Sequence, residues 1–203
     1  EQLKKEIGDV LVCMVQLISQ LPGASLEKIA RRNLEKTHTN YSIGDFKQEN
    51  TLLDFGEYQK NVTQTYREDL PQTQEEQARF FAMGLMKEIG KISELFGEYI
   101  IDGVMLNRYR IEEKLGDTLW YLVAICQTYG VSLQEIIQSG LEKMRAKKQA
   151  DDEVKIAPEN ENISFKEYTE GTSGTPQGHI LSMNEEDKNR ELILGLFEEG
   201  GEV

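Results

Sequence analysis

The feature that most constrains this chain is that it repeats itself at a nearly constant interval. Lys5-Glu-Ile-Gly-Asp9-Val-Leu recurs as Glu113-Lys-Leu-Gly-Asp117-Thr-Leu, and Gly23-Ala-Ser-Leu…Asn33-Leu-Glu-Lys36 recurs as Gly130-Val-Ser-Leu…Gly140-Leu-Glu-Lys143. Phe55-Gly-Glu-Tyr58 returns as Phe165-Lys-Glu-Tyr168, and Gly84-Leu-Met-Lys-Glu-Ile-Gly-Lys91 as Gly195-Leu-Phe-Glu-Glu-Gly-Gly-Glu202. The offset between copies hardly changes along the chain. A period of this kind means that one supersecondary unit is used more than once. Residues 1–48 then read as the C-terminal half of a unit, 49–150 as a complete unit, and 151–203 as a linker and the N-terminal half of a further one. An excerpt from a longer tandem protein is the expected origin, and a circular permutation is the rival.

The unit is helical. Leu3, Ile7, Val10, Leu11, Met14, Leu17 and Ile18 recur at helical spacing over residues 1–20, ahead of the break at Leu21-Pro-Gly23. Ser25 is placed to cap a helix from Leu26 to about Lys36, and the polar stretch Thr37–Thr51 reads as a linker. Further helices are expected over Leu53–Arg67, from a cap at Thr73 to about Ile101, and from about Arg108 to Tyr129. The capping box Ser132-Leu-Gln-Glu135 opens the next, and Asp151–Asn162 reads as a second linker. No segment has the alternation of a strand, so the expected fold is all-α.

The chain has 203 residues and a net charge of −13, from 23 basic and 36 acidic side chains. Such a balance, without a basic cluster, argues against nucleic-acid contact, while leaving nucleotides open through a bridging metal ion. Cys13 and Cys126 sit in apolar helical stretches and read as reduced, buried thiols of a cytoplasmic protein. No segment is apolar for long enough to span a bilayer. With only His38 and His179 present, a histidine-based zinc site is not expected.

What remains is carboxylates on apolar faces. Glu88 stands at helical spacing with Phe81, Leu85 and Ile92, and Asp117 lies among Ile111, Leu115, Leu119 and Leu122. In the end segments, Glu198, Glu199 and Glu202 crowd into little more than one turn, and Glu6 and Asp9 share a face at i, i+3. A lone pair of this kind is ordinarily a solvated helix face. Two such helices side by side would bring like charges together and require a counter-ion. A hard oxygen-liganded cation, Mg²⁺ or Mn²⁺, answers that need and supports attack of an activated water on phosphorus.

The flanking residues make the pattern specific. Gly195-Leu-Phe-Glu-Glu-Gly-Gly-Glu-Val203, Glu6-Ile-Gly-Asp9-Val-Leu and Lys114-Leu-Gly-Asp-Thr-Leu-Trp-Tyr-Leu122 resemble the MazG-like nucleotide pyrophosphohydrolases, relatives of the all-α dimeric dUTPases. That family has an E-E-x-x-E helix followed by an E-x-x-D helix. The F-x-E-Y opening and the closing Asn33-x-x-Lys36 are similar to it as well. The resemblance implies a helical bundle that self-associates, and Mg²⁺-dependent cleavage of nucleoside triphosphates to monophosphate and pyrophosphate. It implies Glu199, Glu202, Glu6 and Asp9 as metal ligands and Glu198 as a ligand or water-orienting base. Asn33 and Lys36 would approach the substrate, and Trp120 and Tyr121 would touch a base or pack in the core.

The complete unit departs from that pattern. It has Lys87-Glu88-Ile-Gly-Lys91 for E-E-x-x-E, Lys114-Leu-Gly-Asp117 for E-x-x-D, and Gly140 where the end segment has Asn33. Three acids have become lysines, which are expected to pair with Glu88 and Asp117 in place of an ion. The central unit is therefore expected to be catalytically inert. It would be a scaffold for active neighbours or a nucleotide-binding module.

Overall fold

The computed structural model describes residues 2–40, 53–66, 70–151, 163–172 and 185–203. Eight helices are formed by these residues: α1 (Gln2–Ser19), α2 (Leu26–Asn40), α3 (Phe55–Gln64), α4 (Gln74–Asp102), α5 (Arg108–Thr128), α6 (Leu133–Asp151), α7 (Phe165–Thr172) and α8 (Glu185–Glu202). Among them there is no strand. One isolated antiparallel bridge links Asp54 and Ser164, ahead of α3 and α7. The all-α expectation holds.

The helix ends follow local chemistry. The Asp54 carboxylate accepts from the Glu57 N–H, Thr73 Oγ1 from Glu76, and Asn107 Oδ1 from Arg110, satisfying donors that no preceding turn can reach. Ser132 accepts from the Glu135 N–H at the start of α6. α4 stops at Gly103, whose φ of 67° is in the left-handed region that only glycine enters freely.

Two expectations need correction. α2 runs on to Asn40, not into a linker at Thr37, because Thr37 and His38 are buried and the Thr37 hydroxyl donates to the Asn33 carbonyl one turn earlier. α3 ends at Gln64, where Thr65 bonds back to the Val62 carbonyl through both its N–H and its hydroxyl. The rest of the first linker, residues 41–51, and the linker over 152–162 lie outside the described residues.

Packing comes in matched pairs. α4 lies along α5, and α8 along α1; α2 crosses to α5, and α6 crosses to α1. The glycines show how closely these pairs fit. A Cβ on Gly84 would fall 2.1 Å from the Tyr121 ring, and one on Gly195 would fall 3.5 Å from Cys13 Sγ. Gly116 of α5 faces Ile29 and Asn33 of α2, as Gly8 of α1 faces Ile136 of α6. At the centre α4 meets α8, with Gly200 placed so that a Cβ would sit 2.4 Å from Ile89 Cδ1. Phe55 and Phe165 join α3 to α7, with ring centroids 3.9 Å apart. One continuous core results, in which Leu192, Ile193 and Leu196 bury the inner face of α8. Each such side chain stabilises the docked helix by about 2 kcal/mol.

Candidate functional site

The α1–α8 pair carries the acids of the two end segments. Glu6 projects from the first turns of α1 into the packed face and is 1% exposed, while Glu199 and Glu202 lie one turn apart on α8. One carboxylate oxygen from each of Glu6, Glu199 and Glu202 falls within 4.8 Å of the others, a spacing at which the three could share a metal ion. Two full charges at such a separation repel by about 3 kcal/mol at an effective dielectric near 20. Lys5 is the cation alongside, 3.1 Å from Glu6 and 3.2 Å from Asp9, and it is mostly exposed. An exposed pair of that kind contributes under about 1 kcal/mol, too little to offset the repulsion.

The hydrogen bonding of Glu6 is lopsided. Its Oε1 accepts from Gln2 and Lys5, whereas its buried Oε2 has no donor. A buried carboxylate oxygen without a partner costs on the order of 1–3 kcal/mol, so the site fits a cation that supplies the missing contact. The Glu199 carboxyl is held above the ordinary 4.5, first by burial and then by Asp9, Glu6 and Glu202, with Lys5 opposing. Asp9 stays beside Lys5 outside the three-carboxylate group, and Glu198 is exposed on α8. Cys13, next along this face, has its thiol pushed up to about 12 by burial and the nearby Glu199, Asp9 and Glu198, so it is a neutral wall.

The matching position on α4 and α5 has the opposite chemistry. Glu88 is 5% exposed and accepts from Lys91 at 2.9 and 3.1 Å. Lys114 bridges Glu88 at 3.5 Å and Asp117 at 3.3 Å. Lys36, arriving from α2, donates to both Asp117 oxygens at 2.7 and 2.8 Å and to Glu113 at 2.9 Å. Burial pulls the Lys36 and Lys114 ammonium groups down, but Asp117 and Glu113 together, with Glu88 also acting on Lys114, outweigh it and hold both above the ordinary 10.5. Glu113 is lowered, chiefly by its hydrogen bond to Lys36. Three carboxylates thus meet three ammonium groups, with no cation required. Lys87, expected at this site, is exposed on α4.

Asn33 and Lys36, read in sequence beside Glu6 and Asp9, are therefore at the other cluster. Asn33 Nδ2 donates to Asp117 at 3.2 Å, and its Oδ1 accepts from the buried Tyr58 hydroxyl at 3.0 Å. The physical reason is the crossing of α2 onto α5. By the same crossing α6 lies on α1, where Gly140 leaves open space at its Cβ position. Trp120 donates its indole N–H to Thr65 at 2.8 Å and packs edgewise on Tyr66, Phe81 and Tyr121. It also lines a cavity of about 220 Å³ with Tyr121, Phe80, Leu70, Lys36 and Asp117.

Sequence reasoning missed Tyr58 and Glu113. Glu113 is one turn before Asp117 and so shares its face, a signal that spacing carries. The Tyr58 contact depends on which helix α2 packs against, which spacing does not carry. It also missed Glu112, 4% exposed, which is ion-paired to Arg32 and lies 2.9 Å from Arg108. Both guanidinium groups lie over the Tyr109 ring, at 5.7 and 5.3 Å; Arg32, Tyr109 and Glu112 line a second cavity of about 320 Å³.

With the helices and both clusters in place, comparison with known families gives one decisive finding. Residues 84–150 match the family model of the MazG nucleotide pyrophosphohydrolase domain. The MazG segment comprises most of α4, all of α5 and nearly all of α6, and so contains the lysine-closed cluster. The MazG family is one of nucleotide pyrophosphohydrolases, generally dependent on a divalent metal. No curated protein and no solved structure matches the chain. No helix among the described residues is long and apolar enough to cross a membrane.

Proposed function

We propose that the chain is a cytoplasmic, divalent-metal-dependent nucleoside triphosphate pyrophosphohydrolase that works at the α1–α8 cluster, with the MazG segment over 84–150 as an inert scaffold. The observation that carries this reading is the unpartnered, buried Oε2 of Glu6, on a carboxylate grouped with those of Glu199 and Glu202. Glu6, Glu199 and Glu202 would hold the ion, Mg²⁺ or Mn²⁺, with Asp9 as a further carboxylate on the same face of α1. When bound, the ion neutralises phosphate charge and activates the attacking water.

The chain's own residues supply the rest. Glu198 stands exposed beside the cluster and takes the proton that water loses on attack. The bond between the α- and β-phosphates breaks, pyrophosphate leaves with the bridging oxygen, and the monophosphate keeps the hydroxyl from water. Open space at Gly140 leaves room above α1 for the substrate.

A second reading is supported by the cavity beside Trp120. The MazG segment keeps an aromatic-walled space next to Lys36 while its carboxylates are neutralised internally, which suits a nucleotide-binding module without turnover. The test is incubation of the full chain with a panel of nucleoside triphosphates and Mg²⁺, followed by chromatographic separation. The proposal expects monophosphate and pyrophosphate. Nucleotide retained without turnover favours the second reading.

A further inference from the structure

The two helices that share the acid cluster come from opposite ends of the chain, Gln2–Ser19 and Glu185–Glu202. Apolar contact brings them together. Charge opposes the contact, because Glu6 and Asp9 on one side face Glu199 and Glu202 on the other, with the exposed Lys5 as the cation beside them. The corresponding α4–α5 seam has no such conflict, since Lys91 and Lys114 join Glu88 to Asp117 and Lys36 adds a third bond from α2. Superposing the sequence repeats sets Lys114 on Glu6 and Lys91 on Glu202, so lysines occupy in one seam the positions that acids occupy in the other. The buried Glu6 Oε2, with no donor, is the independent sign that a cation belongs between α1 and α8.

We propose that this divalent cation is a clasp that holds α8 onto α1, so that metal controls how firmly these two helices are joined. The clasp rests on the metal reading given above. Ligands drawn from both helices mean that the ion binds the docked arrangement and not the separated one. The population in which α8 has left α1 then falls by the factor 1 + [M]/Kd. Chelation loosens α8 and the outer face of α1, while the lysine-closed α4–α5 seam has no ion to lose. The metal thus has two roles in one place: it supplies the activator, and it raises the fraction of the chain in which α8 is docked.

The experiment is hydrogen exchange on the full chain in Mg²⁺ and in chelator, with Mn²⁺ binding counted in parallel by electron paramagnetic resonance. At Mg²⁺ about 100 times its Kd, amides of α8 and α1 that exchange through undocking should slow by about 100-fold, and those of α5 should be unchanged. The double variant Glu6→Lys and Glu202→Lys copies the other seam and should protect α8 without metal and make it indifferent to Mg²⁺. If that variant does not fold, Glu6→Gln should remove the Mg²⁺ response instead. An ion that binds while α8 exchanges equally fast with and without it would overturn the clasp and leave the metal site standing. A folded chain that binds no Mn²⁺ would overturn both.

Discussion

At Glu6 one carboxylate oxygen takes two donors and the other takes none, although the side chain is 1% exposed. That asymmetry separates a metal-ready acid from Glu88, whose oxygens are both held by Lys91. Glu6→Gln and Glu202→Ala should each lower kcat by about 100-fold or more, since even the outer-shell partners of a metal are worth 10- to 100-fold. Glu88→Gln should leave turnover within about two-fold in steady-state assays, yet lower stability by about 2 kcal/mol in denaturant titration as Lys91 and Lys114 lose a charged acceptor. Gly84 offers a packing test. Gly84→Ala drives a methyl group into the Tyr121 ring, and overpacking of that kind costs about 1–3 kcal/mol, to be read as a lower thermal midpoint. That Glu199 and Glu202 share one face was legible in the sequence, because i, i+3 spacing fixes which side chains of a helix lie together; that Glu6 joins them from another helix was not. Asp9 was legible as a neighbour, but its pairing with Lys5, at i, i+4 on the same helix, competes with any place in the cluster.

Among elements, the informative event is the crossing of α2 onto α5 and of α6 onto α1. Amphipathic spacing predicted that α2 buries Leu26, Ile29, Ala30 and Leu34, and it does. Spacing says nothing about which helix covers that face, so Asn33 and Lys36 were read with the helix before them in the chain and not with α5. The lysine pairing of Glu88 and Asp117 was foreseeable from charge alone, because a buried carboxylate needs a cation and three lysines were at hand. Lys36 as the third partner was not, for the reason just given. The two seams should also answer oppositely to pH. Glu113 has a lowered folded value, so its contribution is present above the ordinary 4.5 and is lost as pH falls through the lower folded value. Lys36 and Lys114 have raised folded values, so theirs are complete below 10.5 and are lost as pH rises through the higher ones. Glu199 is raised, so its ionised form costs stability near neutrality and protonation relieves that cost as pH falls through its folded value. The thermal shift produced by Mg²⁺ should therefore shrink as pH falls towards the raised folded value of Glu199, in differential scanning fluorimetry, as protons compete for the cluster.

Seen whole, the molecule is one core built from helices far apart in sequence, with α8 seated between α1 and α4. Its helical class and most helix ends were legible because capping residues and apolar spacing act locally. The meeting of α1 with α8 was not, since like charges on two helices argue against contact until an ion is placed between them. A direct consequence is that the lysine-closed cluster should be convertible. Lys91→Glu with Lys114→Glu should give it a metal site, raising the ions bound per chain from about one to about two in Mn²⁺ titration. On the function proposed above, the chain would hold one catalytic ion between α1 and α8 and none in its MazG segment. The most direct measurement is the count of Mn²⁺ bound to the unmodified chain, alongside Glu202→Ala and Glu88→Gln. About one ion is expected, lost in the first variant and kept in the second. Binding that survives Glu202→Ala and disappears with Glu88→Gln would contradict it.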